Sequence, residues 1–428
     1  MKIALVTPYV FLKDDYQFSP HGGLDDILRN NFKKHLLRRP NLSLLTLAYY
    51  LDDKYEIEYL DEQYQEIDFE KKYDLVAISI MTVNAYRGYE IADQFRAKGA
   101  HVIIGGIHAT LVPAEAKEHA DTVVVGEGEE AWQEFLKDLP QNKSKPFYYG
   151  TGLMDLNQSP LPCYDLLPSD FFYSTLFKKE VYSYQFSRGC PHRCNFCSSS
   201  KAYGPKYRTK SVEHYLKGVE QAVDRTQGNC MLFFADDDIT IKKAVAKPLL
   251  ERIADYKISW IGCADIAISD DEDLLKKISR SGCQGIIMGF ESLDADILET
   301  VDPFKARYFK NYDDAVKRMI DYNIPIFASF IVGFDQDTPD TFQKIYDFVT
   351  KHKIPTASIS LLTPFPGTAI YEDLKKEGRL LYQNFWDKCT GAYPLFKPHN
   401  ISPEDLLEGT YQVMNRLNAE QANRSLKL

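Results

Sequence analysis

Short apolar runs alternate with amphipathic segments along the chain, and the alternation starts twice. Near the N-terminus, residues 3–6, 55–60, 75–80, 102–104 and 122–125 read as strands, while 42–51 and 86–96 carry apolar residues at helical spacing. Apolar strands separated by amphipathic helices predict a parallel sheet covered on both faces. The expected unit is a doubly wound, Rossmann-like α/β domain over residues 1–140, with ligands bound beyond the carboxyl ends of its strands. Pro140 to Pro168 lacks sustained periodicity, so residues 141–175 read as a linker. It ends in Phe171-Phe172-Tyr173, expected to pack against the domain on its C-terminal side.

From Val181 the alternation resumes. Strands are expected near 182–187, 230–235, 258–263, 284–289, 325–332 and 356–362. Helices fall near 212–225, 242–256, 271–281, 312–322 and 339–351, with another from about 368. Ser269-Asp-Asp-Glu272 is a good N-terminal cap with acidic residues at the helix dipole, and Pro339 suits a first helical position. These repeats predict a partial (β/α)6 barrel over 176–368, with active residues at the C-terminal strand ends. Residues 369–428 form a small helical C-terminal extension with an amphipathic helix near 403–417.

Composition narrows the class. The 428 residues are 44% hydrophobic and 26% charged, values typical of a globular protein. A net charge of −10 argues against a general nucleic-acid binder, which needs a basic face. No apolar run approaches the ~20 residues of a membrane span, and Met1 to Pro8 is too short an apolar run for a signal peptide. Cys163, Cys230, Cys263, Cys283 and Cys389 are scattered as buried free thiols often are, which fits a reducing cytoplasm.

The densest chemistry is Ser187-Arg-Gly-Cys190-Pro-His-Arg-Cys194-Asn-Phe-Cys197. Three thiolates on one loop suit three corners of an iron–sulfur cube and leave the fourth iron open. Structural zinc prefers two separated Cys-x2-Cys pairs, and His192 is poorly placed in so tight a loop to complete a tetrahedron. A disulfide framework does not suit a long chain with 8 Cys.

Cys190-x3-Cys194-x-Phe196-Cys197 resembles the signature of the radical S-adenosylmethionine (SAM) enzymes. The resemblance implies a 4Fe-4S cluster on Cys190, Cys194 and Cys197 whose open iron chelates SAM, and an electron donor such as flavodoxin or ferredoxin. Reductive cleavage then gives methionine and a 5′-deoxyadenosyl radical. It also implies SAM-site roles for Phe196, for Asp237 within Asp236-Asp237-Asp238, and for Gly289-Phe-Glu291-Ser292, similar to the family's Gly-x-Glu-Ser element. Gly333 and Pro364-Phe-Pro-Gly367 would shape the adenine pocket, and Arg208 would pair with the SAM carboxylate. On the residues alone, the aspartates equally suit a divalent cation or a helix cap, Glu291-Ser292 a cap, and the glycine words structural turns.

In the first domain, Gly105-Gly106-Ile-His108-Ala-Thr110 follows the fourth strand and Gly126-Glu-Gly-Glu129 the fifth. Such glycines permit close backbone approach to a ligand or a tight turn. The absence of Gly-x-Gly-x-x-Gly after the first strand argues against a dinucleotide site. With Pro40 to Ala48, these words resemble the cobalamin-binding domain that precedes the barrel in one radical SAM class. Gly105, Gly106, His108, Thr110 and Gly126 become candidate cobalamin contacts. His21-Gly22-Gly23 lacks the preceding Asp of a cobalt-ligating Asp-x-His motif, which leaves His108 either near the corrin or a loop histidine hydrogen-bonded to backbone. The segment after Arg379 is similar to the extension of a branch that includes hopanoid-methylating enzymes, where it helps close the substrate cavity.

The resemblance spans roughly residues 1–420 and implies a cobalamin-dependent radical SAM methyltransferase. In that class one SAM methylates cob(I)alamin, and a second generates the radical that removes hydrogen from an unactivated carbon. The carbon radical takes its methyl group from methylcobalamin. The substrate expected is a small molecule or lipid. The alternative is a non-methylating radical reaction such as cyclisation, ring contraction, dehydration or rearrangement.

Overall fold

The computed structural model describes residues 1–9, 39–152, 154–174 and 177–425; His21-Gly22-Gly23 lies outside them. The first unit contains β1 (Lys2–Thr7), α1 (Leu42–Ala48), β2 (Glu56–Asp61), β3 (Leu75–Ser79), α2 (Ala85–Ala97) and β4 (His101–Gly105). The short helices α3 (Ile107–Leu111) and α4 (Pro113–His119) come next, then β5 (Thr122–Val125), α5 (Gly128–Asp138) and β6 (Phe147–Tyr149). The strands form one parallel sheet in the order β2-β1-β3-β4-β5-β6. Both faces are covered. Leu5, Ala77, Ile103 and Val124 join Leu44, Leu45 and Trp132 on one side, while Val6, Ile78, Ile104 and Val123 join Ile91 and Phe95 on the other.

The sixth strand is a correction to the sequence reading, which placed residues 141–175 in a linker. Phe147–Tyr149 pairs with Val123–Val125 and extends the sheet. Three residues are too few to show the two-residue alternation of a strand. The same connecting stretch supplies β7 (Tyr173–Ser174), antiparallel to β8 (Lys179–Tyr184) at the edge of the second sheet. Of the aromatics there, Phe172 packs on the barrel as expected, stacked on Tyr182 with centroids 4.7 Å apart, whereas Phe171 stacks on Tyr64 of the first unit at 3.8 Å and Tyr173 is exposed.

The second sheet is the expected half-barrel. After β8 come the short β9 (Ser187–Arg188), α6 (Ser199–Tyr203) and β10 (Arg208–Thr209), then α7 (Val212–Thr226), β11 (Cys230–Phe234), α8 (Lys243–Asp255) and β12 (Ser259–Cys263). Beyond them lie α9 (Glu272–Arg280), β13 (Cys283–Glu291), α10 (Ala295–Val301), α11 (Pro303–Ala306), α12 (Tyr312–Asp321), β14 (Ile326–Val332), α13 (Pro339–Lys351) and β15 (Thr356–Leu361). Strands β8 and β11 to β15 run parallel in sequential order. Helices were legible from their caps: Asp271 accepts from Leu274 N at 3.0 Å to start α9.

Helix α14 (Ala369–Lys376) and the long α15 (Pro403–Ser425) complete the chain. Between them the backbone returns to the first unit, where Phe385, Trp386, Cys389 and Leu395 join the core beneath its sheet. No helix among the described residues is long and apolar enough to cross a membrane.

Candidate active site

The cysteine loop hangs between β9 and α6 and is fixed at several points. Asp236, buried beyond β11, accepts hydrogen bonds from Phe186 N (3.1 Å), Ser187 Oγ (2.5 Å) and Ser187 N. Gly189 has φ +87°, and a Cβ there would lie 2.4 Å from the Lys206 carbonyl oxygen, so only glycine fits. Cys190 N donates to Gly204 O at 3.4 Å, and Asn195 N to Val301 O at 3.1 Å. His192 packs on Phe304 and places Nε2 3.4 Å from Asp265, at the end of β12.

All three cysteines are half-buried. Burial pushes the Cys190 thiol up to about 12, with smaller contributions from Asp237 and Cys197. Burial and the adjacent Asp302, 3.1 Å from Sγ, raise the Cys194 thiol still further, and Cys197 adds to it. Cys197 thus lies within electrostatic reach of both other thiols, in a setting where a bare thiolate is costly. A metal that takes up the thiolate charge removes that cost. The donor set therefore fits a three-cysteine iron–sulfur cluster.

The polar residues at the neighbouring strand ends surround this loop. Strand β13 shifts register between Gly289 and Glu291, and Glu291 adopts φ +61°. Its carboxylate receives Lys305 Nζ, which also sits 3.6 Å from Asp302, the partner of Cys194. A Cβ at Gly289 would fall 2.1 Å from Glu291 Oε1, so this glycine makes room for the carboxylate. Ser292 is buried and caps the next turn, its Oγ accepting from Asp294 N at 3.1 Å. Asp237 keeps solvent access at the barrel mouth; burial among protein groups raises its carboxyl, against a hydrogen bond from Ser199. Gly333, at φ +109°, comes directly after β14 and donates to Asp337 at 2.7 Å. Phe334 beside it meets Phe196 edge-on at 6.3 Å. The structure thus gathers Phe196, Glu291, Ser292 and Gly333 around the cysteine loop. Arg208 is not among them: it is held by Glu127 and by Met154 O at 3.1 Å, correcting the expectation of a SAM-carboxylate contact.

A concavity of about 290 Å³, open to solvent, lies between the carboxyl ends of the two sheets. Leu44, Ser79, Gly105, Gly106, Thr110 and Gly126 line its first-domain wall; Tyr184, Gln185, Arg188 and Tyr203 line the barrel wall. Thr110 ties the glycine turns together, its hydroxyl donating to Gly106 O at 3.0 Å and accepting from Gly126 N at 2.9 Å. Gly106, at φ +101°, crosses so close to Ile80 that a Cβ would lie 2.4 Å from its carbonyl oxygen. Trp132 backs this wall from the core, its Nε1 buried without an acceptor. The glycine floor at the strand ends and the open mouth fit a bulky cofactor such as cobalamin.

His108 does not belong to this group. Its ring is fully buried, faces Thr82 Oγ1 (3.3 Å) and Glu115 Oε1 (3.4 Å), and packs against Trp386. Neither expectation for His108 is met: the ring stays off the cavity, and its partners are the side chains of Thr82 and Glu115 rather than loop backbone. Sequence reasoning missed a further element altogether. Arg188, next to the cysteine loop, donates to Glu127 (2.9 Å) and bidentately to Glu129 (2.8 and 3.1 Å) of the first domain. With Arg208 on the other side of Glu127, this buried network joins the cavity's two walls. Nothing in the local sequence pairs residues some sixty positions apart.

The radical SAM superfamily model matches residues 184–349, and the B12 binding domain model residues 37–136. The chain is 32% identical over 376 residues to bacteriochlorophyllide d C-12(1)-methyltransferase of Chlorobaculum tepidum, covering 86% of this chain and 80% of that protein. The bacteriochlorophyllide d C-8(2)-methyltransferase of the same organism is 27% identical over 380 residues, covering 85% and 82%. The fold is similar to that of the radical SAM methyltransferase TsrM from Kitasatospora setae, solved with cobalamin and a 4Fe-4S cluster, with a TM-score of 0.66 at 17% identity over 88% of this chain and 78% of that one.

Proposed function

The chain belongs to the radical SAM enzymes that carry a B12-binding domain, and we propose that this cobalamin-dependent methyltransferase acts on a carbon of a tetrapyrrole-like small molecule. When bound, the cluster and SAM supply the deoxyadenosyl radical, and cobalamin supplies the methyl group. The chain's own residues position these groups and keep water out. Cys190, Cys194 and Cys197 would hold the cluster. Glu291, Ser292, Asp237, Gly289 and Gly333, with Phe196 packed behind the loop, would receive SAM at the barrel mouth. Gly105, Gly106, Thr110 and Gly126 would floor the cobalamin site.

The observation that carries this reading is the concavity shared by both sheets. Its first wall is the glycine-floored end of the B12-binding sheet, and its second is the β8–β9 segment that leads into Cys190. Radical transfer between two cofactors and an acceptor needs the reacting groups gathered in one water-poor space. The Arg188–Glu127–Glu129 network holds the two walls at a fixed spacing. Small-molecule substrates accord with the named activities of the relatives, and their ring systems favour a tetrapyrrole over a chain lipid. A flavodoxin or ferredoxin would serve as electron donor.

The test is anaerobic purification with hydroxocobalamin, cluster reconstitution, and incubation with trideuteromethyl-SAM, a low-potential reductant and bacteriochlorophyllide d. Mass spectrometry should find the acceptor heavier by one labelled methyl group, with 5′-deoxyadenosine formed alongside. Methylation of a polycyclic lipid in place of the tetrapyrrole would overturn the substrate proposal. Deoxyadenosine without methyl transfer to either would favour a non-methylating reaction.

A further inference from the structure

Lys210 stands apart from every other charged group around the shared cavity. It lies just beyond β10, its backbone N–H donates to Phe186 O at 2.8 Å, and its side chain lines the cavity. The residue is 8% exposed. Its ammonium makes no hydrogen bond or ion pair among the described residues, although a charged group so deeply buried is normally paired. The nearby carboxylates are engaged elsewhere. Glu127 is taken by Arg188 and Arg208, Glu129 by Arg188 and Ser159, and Asp236 by Phe186 and Ser187. The two arginines take both glutamates, Asp236 is taken up by Phe186 N and Ser187, and the Lys210 ammonium is left without a direct partner. Burial and the neighbouring Arg188 push the Lys210 amine down to about 8, against the pull of Asp236 and Glu129.

An ammonium without a protein partner at a cavity wall is left to water until an anionic group arrives, and in so buried a setting water offsets its desolvation only in part. We propose that Lys210 is a binding residue for an anionic oxygen of the molecule that fills the cavity, held without a protein partner so that the ligand completes its pairing. Two sources in this enzyme present that chemistry: the phosphodiester of cobalamin and the carboxylate of SAM. The inference rests on the cavity being the cofactor site, but it does not depend on which acceptor is methylated.

The proposal separates from a structural role by sign. A lysine that merely supported the fold would destabilise the empty protein when removed. A cation held for a ligand should do the opposite, because its replacement by an apolar chain of similar length removes an uncompensated charge. Lys210→Met and Lys210→Arg are compared with the parent by thermal unfolding without cofactors. Hydroxocobalamin, dicyanocobinamide (which lacks the phosphodiester) and S-adenosylhomocysteine are then titrated separately. Lys210→Met should melt at the parent temperature or above, yet bind one ligand about tenfold or more weakly, as expected for a lost charge-assisted hydrogen bond. Loss for hydroxocobalamin but not for cobinamide assigns the phosphodiester. Loss for S-adenosylhomocysteine alone assigns the carboxylate. Lys210→Arg should retain most of the affinity. Binding of all three ligands to Lys210→Met within about twofold of the parent overturns the proposal, as does a fall in the melting temperature of the empty protein.

Discussion

Two glycines on either side of the cysteine loop offer a controlled test of how the cluster site is built. Gly189 (φ +87°) and Gly204 (φ +76°) both lie in the left-handed region, where an L side chain costs about 1–2 kcal/mol. They differ in surroundings. A Cβ on Gly204 meets nothing within 4 Å, whereas one on Gly189 lies 2.4 Å from Lys206 O and 3.1 Å from Gly204 O. To restore ordinary contact, the Lys206 carbonyl must retreat by about 1 Å, at a further cost of about 1–3 kcal/mol. That movement pulls on β10, whose Arg208 pairs with Arg188 and is tied to Glu127, and on the residue beside Cys190. Gly204→Ala should therefore lower stability slightly and load iron like the parent. Gly189→Ala should lose about 2–5 kcal/mol in all and retain about half its iron or less, because cluster geometry tolerates little displacement of a ligand. Iron and sulfide per chain after anaerobic reconstitution, with thermal unfolding of the apoprotein, read both effects. Equal iron loading and equal melting temperatures in the two variants would refute the claim that the Lys206 contact sets the loop.

Buried polar groups give three further expectations. Burial lifts the Asp337 carboxyl to about 6 from an ordinary 3.8, while its Oδ2 accepts from both Gly333 N and Phe334 N. The folded-state pKa is raised, so its contribution is fully present below about pH 4 and fades as pH rises through 6, a change of about 3 kcal/mol. Asp337→Asn keeps an acceptor for both amides, so it should flatten that part of the stability-versus-pH curve and be more stable than the parent at pH 8; denaturant titrations at pH 5 and 8 check it. Arg188→Met leaves Glu127 to Arg208 alone and Glu129 without a cation, so it should cost about 3–5 kcal/mol and raise protease susceptibility between the domains. His108→Ala should cost about 2–4 kcal/mol through lost packing, while cobalamin binding by optical titration stays at the parent level.

The sequence made some parts of this molecule legible and hid others for physical reasons. The two sheets were readable because each parallel strand is an apolar run succeeded by an amphipathic helix, a signal carried by neighbours in the chain. The cysteine loop was readable because three metal ligands share one short segment. Strand β6 was hidden because it has only three residues and is defined by its partner, Val123–Val125. His108 and Arg208 were misread for a related reason. A side chain's type advertises what it is able to bind, but its direction is set by tertiary neighbours such as Glu115, Trp386 and Glu127. The unpaired state of Lys210 was invisible in principle, since it becomes apparent only once every nearby carboxylate has found another partner.

The return of the chain to its first domain also constrains the order in which the protein is made. Trp386 Nε1 reaches both oxygens of Glu115 at 3.1 Å across a separation of 271 residues, and Phe385, Cys389 and Leu395 fill the same core. At about 5–20 residues per second, the ribosome needs about 15–55 s to deliver that segment after Glu115 has emerged. During this interval the surface destined to receive Trp386 stays open to water and to other nascent chains. A chain released before residue 386 would carry an unfinished first domain however well its sheet had formed, so the last part of the message acts as a checkpoint on the first.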